Sequence, residues 1–107
     1  MPVKEISVQE LKRRQDAGET VRLLDVREPW EVAIASVPGA FNIPLSELPQ
    51  RLQELDPKAE TVVMCKVGGR SSRAAAFLQT RSFEHVANLV GGIDAWTREI
   101  DPTLQSY

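Results

Sequence analysis

Residues 61–76 read TVVMCKVGGRSSRAAA: an apolar run of strand length, the chain's one cysteine, a glycine-containing turn, and an alanine-rich stretch fit for a helix. A strand that passes through a tight turn into a helix is the building unit of α/β domains, so this stretch sets the fold class. Cys65 stands where a buried strand would end, and Ser71 where a helix would begin. Between them lie Lys66, Val67, Gly68, Gly69 and Arg70. The two glycines accept backbone angles closed to other residues, which lets the segment curl until several N–H groups point at one spot. The helix that follows adds its unpaired N-terminal N–H groups and the positive end of its dipole, and Lys66 and Arg70 add full charges. All of these favour a thiolate over a thiol. A free cysteine titrates near pH 8.5, roughly, and such surroundings lower that value, which makes the sulfur a nucleophile at neutral pH. Residue types alone leave a second reading open, an inert core thiol.

Working outward, helix and strand signals alternate. Ile6 suggests a very short first strand, and Ser7 with Glu10 has capping-box spacing ahead of a helix over 8–17 that Gly18 ends. VRLLDV at 21–26 has the length and apolar character of a strand covered on both faces. Pro29 can start a short helix, Pro38-Gly39 forces a turn, and residues 40–43 form another short strand. Ser46 is expected to cap a helix over 47–55 with Leu48, Leu52 and Leu55 on one face. After the strand at 61–64 come a helix over 71–81, a strand over 86–90, a Gly91-Gly92 turn and a last helix over 93–100. The ending DPTLQSY has no periodicity. Strands alternating with helices imply an α/β domain with a largely parallel sheet and helices on both faces. In such sheets ligands bind at the carboxyl ends of strands, where Cys65 and the segment 25–28 both fall.

The 107 residues, 42% hydrophobic and 26% charged, suit one soluble domain over 1–107, with a core over about 3–100 and an irregular tail over 101–107. A formal net charge of -2 gives no electrostatic case for nucleic acid. One cysteine makes no internal disulfide and, with one histidine, no ordinary zinc site. The amino end lacks the apolar run of a signal peptide, and no stretch is long enough to cross a membrane. A cytoplasmic, reducing setting is the expectation.

Four segments in order, LLDVREPWE at 23–31, VPGAFNIPLSEL at 37–48, CKVGGRSSRAA at 65–75 and NLVGGIDAW at 88–96, make the chain resemble a single rhodanese domain. More narrowly, it is similar to the rhodanese domain at the carboxyl end of adenylyltransferases that activate ubiquitin-like sulfur carriers. The resemblance covers nearly the whole chain and implies a five-stranded parallel sheet flanked by helices. It also implies sulfurtransferase chemistry without a cofactor: Cys65 takes a sulfur from a small anionic donor such as thiosulfate, or from a protein persulfide, and holds it as a persulfide. A thiophilic acceptor such as cyanide, a thiol or a sulfur carrier then removes it. Ala35-Ser36 stand where family members often carry a histidine, a departure that places no catalytic residue in doubt.

On this reading Cys65 and Arg70 are catalytic, and Lys66, Val67, Gly68, Gly69 and Ser71 form the substrate-binding loop. Arg70 is expected to face the anionic donor and Lys66 to draw anions or an acidic partner. Two rivals stand beside it. A cysteine-dependent phosphatase of the same fold would place five residues between cysteine and arginine, where this chain places four. A recognition module that binds without turnover would not need the cysteine. Asp25 and Arg27 are expected to support the site as an ion pair or loop cap, Glu28 and Glu31 to be solvated, and His85 to lie at or near the surface. Trp96 and Phe77 are assigned to the core, and Trp30 to a partner contact.

Overall fold

In a computed structural model of the chain, which describes residues 2–107, the apolar runs lie side by side as a sheet. The strands are β1 (Lys4–Ile6), β2 (Arg22–Asp25), β3 (Phe41–Asn42), β4 (Thr61–Met64) and β5 (Val86–Leu89). They pair in the order β1-β5-β4-β2-β3, every pair parallel. The helices are α1 (Val8–Asp16), α2 (Pro29–Ile34), α3 (Gly69–Gln79) and α4 (Gly92–Glu99). The five-stranded parallel sheet with flanking helices is therefore as the sequence implies.

Strand alternation sorts the core into two clusters. Val62, Met64, Leu23 and Leu89 pack with α1, α4 and the segment around Ala35 and Val37. Val63, Cys65, Leu24, Val26 and Val86 face the other way, onto Ala74, Ala75 and Leu78 of α3. Because side chains alternate along a strand, Cys65 inherits the face of Val63 and points toward the start of α3.

Local signals behave as their chemistry predicts in most places. Ser7 Oγ accepts from Glu10 N–H at 3.1 Å, and Gly18 takes φ +77° just beyond α1. The Glu10 carboxylate goes to Arg13 instead of closing the box. One expected element is different. In place of a helix over 47–55 the chain makes two 3-10 segments, Leu45–Gln50 and Leu52–Glu54, and Ser46 is not a cap. Pro44 and Pro49 supply no N–H donors, and the N–H groups of Glu47, Arg51, Glu54 and Leu55 each reach back three residues. The tighter winding still buries Leu48 fully and packs Leu45, Leu52 and Leu55 on the α3 side. Helix α3 starts at Gly69, two residues ahead of expectation, with Gly68 at φ 121° before it.

The tail is irregular in backbone but not loose. Leu104 and Tyr107 pack against the α4 side of the core, and Asp101 N–H bonds Trp96 O at 2.9 Å. Among the described residues no helix is long and apolar enough to cross a membrane.

Candidate active site

Five parallel strands bring their carboxyl ends to one edge, and the turn after β4 sits in the middle of it. Parallel register places Met64 beside Asp25, and Val26 N–H continues the ladder to Met64 O at 3.0 Å. The chain then leaves the sheet at Cys65.

What bends the loop into a cup is a second segment. Ile93 N–H donates to Cys65 O at 2.9 Å and Asp94 N–H to Lys66 O at 3.1 Å, so the first N–H groups of α4 hold the loop's carbonyls from below. With those carbonyls drawn down, the N–H groups that follow turn toward the sulfur. This close approach is why residue 92 is glycine: a Cβ there would lie 2.3 Å from Cys65 O and 2.5 Å from Lys66 O, on a backbone at φ +55°.

Cys65 is buried, and its Sγ accepts from Gly68 N–H at 3.0 Å and lies 3.3 Å from Ser71 Oγ. Burial pushes the thiol up. The Ser71 hydroxyl and the backbone N–H groups of Ser71, Gly68 and Val67 pull it down further than burial raises it, so the thiol titrates below its ordinary range. Ser71 has one hydroxyl proton and three acceptors around it: the sulfur, Gly68 O at 3.2 Å and Asn88 Oδ1 at 2.5 Å. Asn88 Nδ2 donates to Gly68 O at 3.3 Å, which fixes the amide with its oxygen toward Ser71. The backbone N–H groups are therefore the constant donors, and the hydroxyl turns to the sulfur as negative charge develops there.

The structure thus brings Cys65, Lys66, Val67, Gly68, Gly69, Arg70 and Ser71 together in one loop, and it pairs both cations with carboxylates. Arg70 does not stand free at the mouth. Its guanidinium forks onto the Glu31 carboxylate at 2.6 and 2.9 Å, and Glu31, expected in solvent, is only 3% exposed. Glu31 Oε1 also accepts from Glu28 N–H at 2.9 Å, and Oε2 from the Tyr107 hydroxyl at 2.8 Å. Arg70 is the largest influence that holds the Glu31 carboxyl down to about 2. Lys66 is likewise engaged, with Nζ 2.9 Å from Asp94 Oδ2 and 5.0 Å from the centre of the Tyr107 ring.

Asp25 and Arg27 form an ion pair, as expected, at 2.7 Å and fully buried. Arg27 further donates to Ala35 O at 2.8 Å, Glu31 O at 3.3 Å and Tyr107 Oη at 2.9 Å. Glu28 is exposed and His85 lies at the surface, while Trp96 is buried and Phe77 is half-buried under Arg81. Trp30 is 62% exposed, its ring edge-on to Tyr107 at 5.9 Å. Sequence reading missed Glu31, Asn88, Asp94 and Tyr107. Only Asn88 left a signal, a polar residue in phase with Val86 on an otherwise apolar strand.

The rhodanese-like domain family matches residues 7–99, most of the chain. This chain belongs to that family. Among relatives of the rhodanese domain here is the putative sulfurtransferase YtwF of Bacillus subtilis, 38% identical over 95% of this chain and 98% of its own length. Arabidopsis thaliana rhodanese-like/PpiC domain-containing protein 12 is 42% identical over 99% of this chain, which spans 38% of that longer protein. Adenylyltransferase and sulfurtransferase MOCS3-1 of Zea mays is 36% identical over 95% of the chain and 23% of its own length. The crystal structure of the human single-domain sulfurtransferase TSTD1 superposes with a TM-score of 0.84 at 28% identity, covering 91% of this chain and 97% of that one.

Proposed function

We propose that this rhodanese domain is a sulfurtransferase that carries a sulfane sulfur as a persulfide on Cys65. The observation that carries the reading is the cup around Sγ: a buried sulfur with N–H donors from Gly68, Val67 and Ser71 and a thiol drawn below its ordinary range. The names of the relatives YtwF and TSTD1 support the same reaction class.

In the proposed reaction the Cys65 thiolate attacks the outer sulfur of the donor. A new S–S bond forms, the donor's own S–S bond breaks, and the electron pair leaves with the donor's inner atom. The resulting persulfide is anionic, and the same N–H groups serve its outer sulfur. No separate base is required, since a thiol drawn below its ordinary range supplies the thiolate, and no cofactor enters the scheme. A nucleophilic acceptor then removes the outer sulfur and returns the Cys65 thiolate. YrkF of Bacillus subtilis, a putative sulfur carrier protein 38% identical over 89% of this chain, supports a sulfur-carrier protein with a nucleophilic sulfur as one such acceptor.

Mass spectrometry tests this directly. Folded protein incubated with thiosulfate, or with a persulfide donor, and freed of excess reagent should gain one sulfur on Cys65. Cys65→Ser should gain none. Protein that acquires no sulfur from either kind of donor would sink the reading.

A further inference from the structure

Two full positive charges flank the Cys65 cup, and each is answered by a carboxylate at bonding distance. Arg70 is forked onto Glu31 at 2.6 and 2.9 Å, and Lys66 meets Asp94 at 2.9 and 3.2 Å. Glu28 lines the same shallow depression as Arg70, on the side of Val26, Leu45 and Ser46, and adds a further acid. Arg27 offers no charge to the cup: it is spent on Asp25 and its side chain is 0% exposed. What stays positive near Sγ is the array of N–H groups and the start of α3, together about half an elementary charge. That suits one negative sulfur. It gives little to an ion carrying two charges.

The rim differs in character from the cup. Val67 and Trp30 are each 62% exposed, Trp30 leans edge-on against Tyr107, and the Lys66 ammonium lies over the same ring. Such a border of ring faces and a branched side chain matches a donor with a carbon body better than a small hydrated inorganic ion.

We propose that Glu31 and Asp94 are specificity-determining residues of sulfur loading: by covering Arg70 and Lys66 they make the site favour a persulfide donor, R–S–SH, over the thiosulfate dianion. This rests on the sulfurtransferase reading above. With a persulfide, the Cys65 thiolate attacks the outer sulfur, the S–S bond between the donor's inner and outer sulfurs breaks, and R–S⁻ leaves with the electron pair and takes a proton from water. Cys65 becomes Cys–S–SH, which releases its proton to give the persulfide anion. With thiosulfate the same attack expels sulfite. Neither route needs an outside oxidant or reductant, so the two donors differ at the site chiefly in charge and body.

The test is the second-order rate of sulfur loading on Cys65, read by mass spectrometry, for the native chain, Glu31→Gln and Asp94→Asn. Three donors are used: thiosulfate, N-acetylcysteamine persulfide as a small-molecule source with an uncharged body, and a persulfide-loaded cysteine desulfurase for a protein source. Each substitution removes one negative charge and keeps the shape of the side chain. A dianion gains at least twice what a donor with a single ionisable group gains from an uncovered cation, so the ratio of the thiosulfate rate to the N-acetylcysteamine persulfide rate should rise about tenfold in each variant. That gain should shrink as salt is added, a response that a merely structural defect would not show. Taking the ratio within one variant cancels any loss of folded protein, and comparing that ratio with the native chain's cancels the donors' intrinsic reactivity. The native chain should load faster from at least one persulfide source than from thiosulfate. A ratio that does not move in Asp94→Asn, whose half-exposed site keeps the fold safe, overturns the proposal. So does a native chain that loads from thiosulfate as fast as from both persulfides, and in that case the sulfurtransferase reading still stands. Loading from none of the three overturns both.

Discussion

Asp25–Arg27 and Glu31–Arg70 are both carboxylate–guanidinium pairs whose acids lie six positions apart in the chain, yet the fold uses them differently. Asp25–Arg27 is sealed: Arg27 is 0% exposed, and its donors are divided among Asp25, two backbone carbonyls and the Tyr107 hydroxyl. In Glu31–Arg70 the acid is buried and the arginine keeps 31% of its side chain in water. The first pair cannot change partners without unfolding its surroundings. The second has one movable member, and it borders the reactive sulfur. Burial of both partners makes scaffold, whereas burial of one makes a part that can be tuned.

The most forceful way to break this contrast is Arg27→Met. It would strand the Asp25 carboxylate in the core and leave the Glu31 and Ala35 carbonyls short of a donor, at a cost of about 3–5 kcal/mol. Urea unfolding should show the loss, and a cost under about 1 kcal/mol would mean the sealed pair is not scaffold.

Acid titration of stability separates the second pair. The Glu31 carboxyl is held at about 2 in the folded chain, chiefly by Arg70, against an ordinary value of 4.5. A depressed carboxyl stabilises the fold above its unfolded value and loses that contribution as pH falls through the folded one. About 2–3 kcal/mol should therefore vanish between pH 4.5 and pH 2, and Glu31→Gln should flatten the profile across that window. An unchanged profile in the variant would show that Arg70 does not hold Glu31 in solution.

Smaller still is the effect on the sulfur itself. Ser71→Ala removes a donor that lowers the Cys65 thiol, so the thiol should rise, visible in the pH dependence of alkylation by iodoacetamide. No shift would mean that Asn88 keeps the hydroxyl proton throughout. At the bottom of the scale, Lys66→Ala breaks a pair half-exposed on both sides, and unfolding free energy should change by less than about 1 kcal/mol.

These magnitudes follow the line between what was legible in the chain and what was not. The alternation of strand and helix, the position of Cys65 after an apolar run and the run of loop residues after it are all local, and local order carries them. The pairing of Asp25 with Arg27 is nearly local too, with a spacing of two residues along a strand end. Glu31 was misplaced because its partner lies 39 residues away, and nothing in the six-residue helix α2 shows which side meets the sheet edge. Tyr107 reaches Arg27 across 80 positions from a tail with no periodicity. The segment 45–54 failed for another reason: leucines every three or four residues fit a 3-10 path as well as an α path, and the prolines decided between them.

The α4 turn beneath the loop bears on protein engineering. Residues 65–71 read as a self-contained cassette, but their curvature is imposed by N–H groups of Ile93 and Asp94 and by the bare Cα of Gly92. Grafting CKVGGRS alone onto another β–α junction would transfer the cysteine without the cup. The smallest portable unit is discontinuous, 65–71 together with 91–94, and any host must bring two adjacent parallel strands, each followed by a helix, to carry it.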